Sequence, residues 1–314
     1  MVVSVLRQLR KKGILGINAR NANYIFPYNQ RKFFPRADSK LRSKRLAQQG
    51  GIPVPELYGT VDSARDVGLV ERLLQEHGDM VIKPEHGSGG EGILLLSHTS
   101  EGMISPSGVR YNTELLRSHL SDVSAGLYSL GGQADRALLE YKVVFDPVFD
   151  HLTYKGVPDI RTIVFQGVPV CAMMRLPTRR SDGKANIHQG AIGVGVCLLT
   201  GKTLDGVDGA KRITHHPDTG APLAGNQIPY WGAILDIATR CFELFQLGYM
   251  GIDLVLDEQF GPMLLEVNVR PGLAIQIAND RGLVPRLQRV EMSLERLRTR
   301  EQRLSFVEEL VDLF

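Results

Sequence analysis

The sequence predicts an α+β fold of two lobes set around a cleft, and three observations carry that expectation. Amphipathic helical stretches alternate with short β-type runs along the chain. Residues 80–83 and 92–97 read as two short strands enclosing a glycine-rich loop. Residues 251–272 read as a hairpin whose polar side chains fall on one face. At 314 residues the chain is longer than one compact core usually accommodates, which favours more than one lobe.

Each element has its own signal. Residues 41–49 form a helix stopped by Gly50-Gly51. The Pro53 and Pro55 spacing makes 52–55 extended, and Val67–His77 is a second helix. Residues 97–133 are weakly patterned, with Gly and Ser clusters, and some of this stretch is loop. Strands follow at 137–145, Asp159–Phe165 and 169–175, the last two joined by a Gln166-Gly167 turn. Residues 201–229, rich in Gly, Pro and Asp, read as an irregular excursion. The clearest helix is 234–247, with Ile234, Ile237, Ala238, Cys241, Leu244 and Phe245 on one face. Strands at 251–256 and 262–269 come next. From Leu287 onward, Leu287, Val290, Leu294 and Leu297 repeat at three-four spacing until Glu301, giving an amphipathic tail helix that forms a coiled-coil seam or packs back on the body.

Composition narrows the class. Apolar residues make up 43% and charged residues 23%, ordinary globular usage. A net charge of +3 does not call for a nucleic-acid partner. The charge is uneven, however: about a dozen Lys and Arg fall between Arg7 and Arg45 against the single acid Asp38. That basic front is either a solvated face or a docking surface for an acidic protein, membrane or polyphosphate. Near the start, Val2, Val5, Leu6 and Leu9 share one helical face flanked by Arg7, Arg10, Lys11 and Lys12. Cys171, Cys197 and Cys241 have no metal-site or disulfide spacing, which fits a reducing compartment. The first residues lack the order of a signal peptide and no apolar run reaches membrane length, so a cytoplasmic location is expected.

The loop Lys83-Pro84-Glu85-His86-Gly87-Ser88-Gly89-Gly90-Glu91-Gly92 satisfies a dinucleotide fingerprint literally, but that fingerprint needs a helix after it. Ile93 to Leu96 continue as strand, so the reading fails. A Walker loop fails too, because Lys83 precedes the glycines. What remains is a strand–loop–strand flap whose backbone amides, from Gly87, Ser88, Gly89 and Gly90, can close over phosphates, with Lys83 adding positive charge. Elsewhere, Glu266 and Asn268 lie two apart on one strand and share a face. If 258–261 form the turn, Asp257 pairs with Pro262 and Asp253 comes opposite Glu266, with side chains roughly 5 Å apart. Two acids and an amide converging in an apolar hairpin suit a hard cation, magnesium or manganese. Asp159 and Arg161 alternate on one strand, Arg175 ends the next, Lys184, Asn186 and His188 alternate further on, and Arg270 follows the acidic strand. Arginines at strand ends beside a metal suit phosphoryl transfer to a carboxylate, where negative charge develops.

Taken in order, Ser39-Lys40-Leu41, Val81-Ile82-Lys83, the flap, Leu139-Glu140-Tyr141, Asp159-Ile160-Arg161, Asn186-Ile187-His188-Gln189-Gly190 and Glu266-Val267-Asn268-Val269-Arg270-Pro271-Gly272 resemble the ATP-grasp superfamily, and within it the RimK-type α-L-glutamate ligases. The resemblance runs from Ala37 to Gly272. It implies that Lys83 and a second lysine, Lys40 with Lys44 competing, contact ATP phosphates and that Glu140, Tyr141, Lys142 and Val143 form a hinge bonded to adenine. Asp159 and Lys184 match further nucleotide contacts, and Asp253, Glu266 and Asn268 match metal ligands for two Mg²⁺ ions. The chain departs from the family in its short lead of some 36 residues where a separate α/β domain is usual. It departs also in long stretches at 102–133 and 201–229, and in Arg270 where a small residue is common.

The expected organisation is a basic segment 1–36, a smaller ATP-grasp lobe 37–139 with the flap, a larger lobe 140–285 with the metal site, and a tail helix 286–314. The expected reaction transfers the γ-phosphoryl group of ATP, held between the lobes, to a carboxylate, after which an amine displaces phosphate to give an amide. Arg161, Arg175 and Arg270 would stabilise the acyl phosphate and Asn186 would orient it. The expected substrates are glutamate or another amino acid and a carboxylate acceptor, small molecule or peptide, with homo-oligomerisation left open. The alternatives are a kinase on the same scaffold and a non-catalytic ATP-sensing module.

Overall fold

The structure is a computed structural model that describes residues 7–9, 11–87, 89–129 and 131–311. Val2, Val5, Leu6 and Arg10 of the expected N-terminal helix lie outside the described residues. The chain divides into two compact units, Ser39–Leu41 with Val54–Val144 as one and the remainder as the other.

The smaller unit is built on a six-stranded antiparallel sheet. Its strands are β1 Leu57–Val61, β2 Asp79–Pro84, β3 Leu94–Thr99, β4 Gly102–Ile104, β5 Arg110–Tyr111 and β6 Ala137–Glu140, in spatial order β1-β6-β2-β3-β4-β5. Met80 and Ile82 are fully buried and alternate with Val81 and Lys83, the period-two pattern of a strand with one face in the core. That face is covered by the helix Val67–His77, through Val70, Leu73 and Leu74, and by the helix Thr113–Ser124, through Leu116, Leu120 and Val123. Each such side chain contributes about 1.5–3 kcal/mol of transfer free energy. The second helix and strands β4 and β5 lie in the weakly patterned stretch, for which the sequence predicts no element. Asn112 caps that helix by accepting a bond from the Leu115 amide at 2.8 Å. Its stripe is hard to read in sequence because Leu115, beside it, is exposed.

The larger unit holds a seven-stranded antiparallel sheet. Its strands are β7 Asp159–Phe165, β8 Val168–Leu176, β9 Ile192–Val196, β10 Thr203–Asp208, β11 Lys211–Ile213, β12 Tyr249–Asp257 and β13 Gly261–Asn268, in the order β11-β10-β9-β8-β7-β12-β13. The β7–β8 turn has positive φ at both central residues, Gln166 (50°) and Gly167 (80°), which matches the twist of a two-residue hairpin. The helix Trp231–Phe245 packs Ile234, Ile237, Ala238, Cys241 and Phe245 inward. Strands β10 and β11 correct the expectation of an irregular excursion. In β9 the glycines of Ile-Gly-Val-Gly-Val mask a strand for a packing reason. A Cβ on Gly195 would sit 2.6 Å from the Ala278 carbonyl oxygen, so only glycine lets the helix Ala274–Ala278 approach.

The chain before and after the sheet is part of this core. Leu15, Tyr24 and Ile25 are buried with Phe165 and Tyr249, and Arg20, one of the basic front, donates to the Pro271 carbonyl at 2.6 Å. The tail is not one helix. Val284–Glu291 and Arg300–Val311 are separated by a short 3-10 turn at Leu294–Arg296, and the break lets Leu287, Val290, Leu297, Phe306 and Leu310 all face the same core. No helix among the described residues is long and apolar enough to cross a membrane.

Candidate functional site

In the smaller unit, β2 delivers Lys83 to the start of the glycine loop and β3 carries the chain away antiparallel, so the loop is a strand–loop–strand flap. Lys83 Nζ lies 2.6 Å from the Glu140 carboxylate, with side-chain exposures of 12% and 2%. The pair forms because β2 and β6 are neighbours, with Val81 opposite Glu140 and Lys83 opposite Leu138. Lys40 Nζ donates to the carbonyls of Glu85 (3.4 Å) and Gly87, so a second cation stands at the loop's root. Lys44, the competing candidate, is buried in the other unit. Gly89, Gly90 and Gly92 have φ near +70° to +80°, the left-handed region that turns successive amides toward one side. Ser88 lies outside the described residues.

After Glu140 the expected hinge runs as an irregular segment, not the strand to 145 that the sequence suggested. Its Tyr141 amide donates to the Glu56 carbonyl at 2.8 Å, and Lys142 Nζ lies 3.2 Å from the Asp79 carboxylate. Val143 is half-buried. Sequence reading gave no sign of Glu56 and Asp79, because neither belongs to a motif.

In the larger unit, four adjacent strands gather the charged residues. Asp159 pairs with Arg175 across β7–β8, Arg161 with Asp253 across β7–β12, and Asp253 with Glu266 across β12–β13. The last pairing was expected, but the chain reaches it by another route. Asp257 pairs with Gly261, one residue earlier than counted, and Leu265 is then an unpaired bulge that restores the register. The tighter turn follows from Asp257, whose carboxylate accepts the amides of Gln259 and Phe260 at 3.0 Å each.

The arginines and acids form one network. Arg161 Nε donates to Asp253 at 2.7 Å and its Nη2 reaches the second oxygen, while Arg175 donates to Asp253 at 2.8 Å and clasps Asp159 with two bonds. Asn268 Nδ2 lies 3.3 Å from the same Asp253 oxygen. Burial alone would raise the Asp253 carboxyl, but Arg161 and Arg175 together outweigh it and hold it down at about 2. Asp159 shares Arg175 with Asp253; burial pushes it up, and the Asp253 charge adds to that against the pull of Arg175. Of two carboxylates sharing a guanidinium, the one with the second arginine keeps its charge more firmly. Arg161 and Arg175, expected to face a phosphoryl group, are therefore turned onto Asp253 and Asp159.

Arg270, Lys184 and Asn186 lie on other segments. Arg270 lies 5.1 Å over the Phe34 ring. Lys184 is exposed, and Asn186 accepts the His188 amide at 3.0 Å as the cap of a 3-10 turn at Ile187–Gln189, so these alternating residues lie in a capped loop. Gly183 shapes that loop: its φ is +74°, and a Cβ there would lie 1.8 Å from the Lys155 carbonyl oxygen. Gly183→Ala is expected to cost at least about 2 kcal/mol and raise amide exchange at Lys184 and Asn186. Calorimetry and hydrogen exchange check it, and an unchanged melt would show that the loop tolerates the shift.

The donor set of Asp253, Glu266 and Asn268, three hard oxygens on two paired strands, fits a magnesium ion. For Asp253 to serve as a ligand, one of its guanidinium bonds must give way.

Comparisons with known proteins agree with this reading of the fold. Residues 19–292 match the family described as sugar-transfer associated ATP-grasp. A probable alpha-L-glutamate ligase of Stutzerimonas stutzeri (strain A1501) is 23% identical over 271 residues, which cover 86% of this chain and 64% of that protein. The chain thus spans less than two thirds of that relative. Among solved structures, a biotin carboxylase–β-γ-ATP complex from Campylobacter jejuni matches with a TM-score of 0.51 at 14% identity, over 82% of this chain and 46% of that one. The ATP-grasp ligase PsnB, in complex with minimal precursor, Mg and ADP, matches with a TM-score of 0.47 at 15% identity, over 86% of this chain and 62% of that one. With the greater part of its length matched, this chain belongs to the sugar-transfer associated ATP-grasp family.

Proposed function

We propose that this protein binds ATP with magnesium and joins a carboxylate to an amine through an acyl phosphate. The observation that carries the reading is the strand register that sets Asp253 against Glu266 and beside Asn268, with Arg161 and Arg175 on the neighbouring strands. Three oxygen donors next to two buried guanidinium groups match a reaction in which phosphate charge is bound and redistributed.

The roles follow from position. Lys83, Lys40 and the backbone amides of Gly87, Ser88, Gly89 and Gly90 bind nucleotide phosphates. Glu140, Tyr141, Lys142 and Val143 form the adenine hinge, and Asp159 and Lys184 are further nucleotide contacts. Asp253, Glu266 and Asn268 would hold magnesium, two ions on the ATP-grasp resemblance, which would supply positive charge to phosphate oxygens. A substrate carboxylate oxygen takes the γ-phosphoryl group as ADP leaves. An amine then attacks the acyl carbon, the carbon–oxygen bond to phosphate breaks, and the amine loses a proton. Arg161 and Arg175, on releasing a carboxylate partner, stabilise the charge on the transferred group together with Arg270, and Asn186 orients it.

The name of the Stutzerimonas relative supports glutamate or another amino acid as the amine. The second reading is a kinase on the same scaffold that passes phosphate to a hydroxyl with no amide formed; because the family is described as associated with sugar transfer, sugars are included among the acceptors. Phosphate release from Mg-ATP across amino acids, acidic peptides and sugar acids, with mass spectrometry on each positive, separates the two. Free phosphate with the mass of an amide is expected. A phosphoester product, or ATP binding with no turnover on any acceptor, overturns the ligase reading.

A further inference from the structure

We infer that Asp135 is a positioning residue for the glycine loop, its carboxylate fixing the backbone at His86 and Gly87 where the loop begins. The inference rests on the reading of that loop as a phosphate binder, and it adds a residue that belongs to none of the motifs. One Asp135 oxygen accepts the His86 amide at 2.9 Å and the Ser129 hydroxyl at 2.7 Å. The other accepts His86 Nδ1 at 2.9 Å and the Arg136 amide at 2.9 Å. Because a carboxylate can only accept, the imidazole is assigned as the donor in this contact.

Both ends of the loop lean on the same stretch of chain. At the entry, Gly87 bridges to Ser129, the Glu85 amide donates to the Arg136 carbonyl at 3.0 Å, and the Ser39 hydroxyl donates to the Glu85 carboxylate. At the exit, a Cβ on Gly92 would lie 2.5 Å from the Tyr128 ring, so the glycine lets the chain pass against it. Tyr128, Ser129, Asp135 and Arg136 therefore act as a buckle across the loop's two roots, and the Asp135 side chain, with no exposed surface, is its pin.

The trio Glu85, His86 and Asp135 brings ligand atoms within 4.8 Å of one another, which raises the question of a cation. Each Asp135 oxygen already accepts two donors, so the trio is spent on holding backbone. Burial pushes the Asp135 carboxyl up, but the bonds from Ser129, His86 and Arg136 outweigh it and hold it below its usual value. The acid is thus ionised at neutral pH, as four donors require. An amide cannot replace it: asparagine offers one acceptor oxygen and turns an NH₂ group toward N–H donors.

The test compares wild type with Asp135→Asn by amide exchange without nucleotide and by ATP affinity from calorimetric titration. Exchange at His86 and Gly87 is expected to rise at least about tenfold, with the strand amides of β2 and β6 unchanged. ATP affinity is expected to fall about tenfold, since the loop must then be ordered on binding. His86→Ala, at a half-exposed side chain, should give a weaker version of both effects and keeps the test available if Asp135→Asn does not fold. Unchanged exchange at His86 and Gly87 in a folded variant overturns the proposal. So does raised exchange with ATP affinity equal to that of wild type. If wild type binds no nucleotide, raised exchange still upholds the buckle while the phosphate reading of the loop falls.

Discussion

Glu266→Gln is expected to lower magnesium-dependent ATP turnover by roughly 10²–10³-fold while leaving the fold intact. Glu266 sits on β13 opposite Asp253, half-buried, at the end of a hairpin whose other face is apolar. Glutamine keeps the shape and one oxygen but removes the charge, so a hard cation loses a strong ligand at little cost to packing. Asp253 is a poorer choice for the same question. It is 3% exposed and accepts bonds from both Arg161 and Arg175. Removing its charge leaves two buried guanidinium groups with Asp159 alone, and breaking a buried pair costs about 3–5 kcal/mol. Loss of activity in Asp253→Asn would thus mix unfolding with loss of a ligand. The measurement is phosphate release against magnesium concentration for Glu266→Gln, with the melting temperature as control. Turnover within about threefold of wild type at every magnesium level would remove Glu266 from the metal site.

The parts of this site that could be read in the sequence are those fixed by strand geometry. Side chains two apart share a face whatever the rest of the fold does, so Glu266 with Asn268, and Asp159 with Arg161, were legible as pairs. The Asp253–Glu266 pairing was legible in outcome, although the turn is tighter than counted and the Leu265 bulge makes up the difference. What stayed hidden depends on packing between distant segments. The glycines of β9 look like loop until the helix Ala274–Ala278 is laid against them. Asp135 is 49 positions from His86, and nothing in its neighbourhood marks it as a partner of the flap. The basic front could be counted, but no periodicity indicates that Arg20 is buried against Pro271 or that Tyr24 and Ile25 enter the core. The destination of Arg161 and Arg175 was hidden for an electrostatic reason. Two buried carboxylates need cations whether or not a phosphate is near, and the arginines expected to meet substrate are the ones within reach.

The same logic makes Lys83 the second informative position. Lys83→Met is expected to weaken ATP binding at least tenfold and also to destabilise the protein by about 2–3 kcal/mol, a drop of roughly 5–10 °C in Tm. The two effects have different origins. The ammonium group lies 2.6 Å from Glu140, which is 2% exposed, so its removal takes a close cation from a buried carboxylate. Phosphate binding needs the ammonium itself, carried by the strand β2 from which the flap begins. The double variant Lys83→Met with Glu140→Gln separates them. With the buried charge gone as well, most of the lost stability should return, because a neutral pair of similar volume replaces an ion pair at little net cost. ATP binding should not return, since no substitution at Glu140 restores positive charge to the loop. Thermal melts and titration calorimetry on the four proteins complete the cycle. If affinity recovers together with Tm in the double variant, Lys83 acts only by holding Glu140 and the strand beneath the flap. If Tm recovers alone, the lysine is the phosphate-binding cation, and its ion pair with Glu140 contributes stability separately.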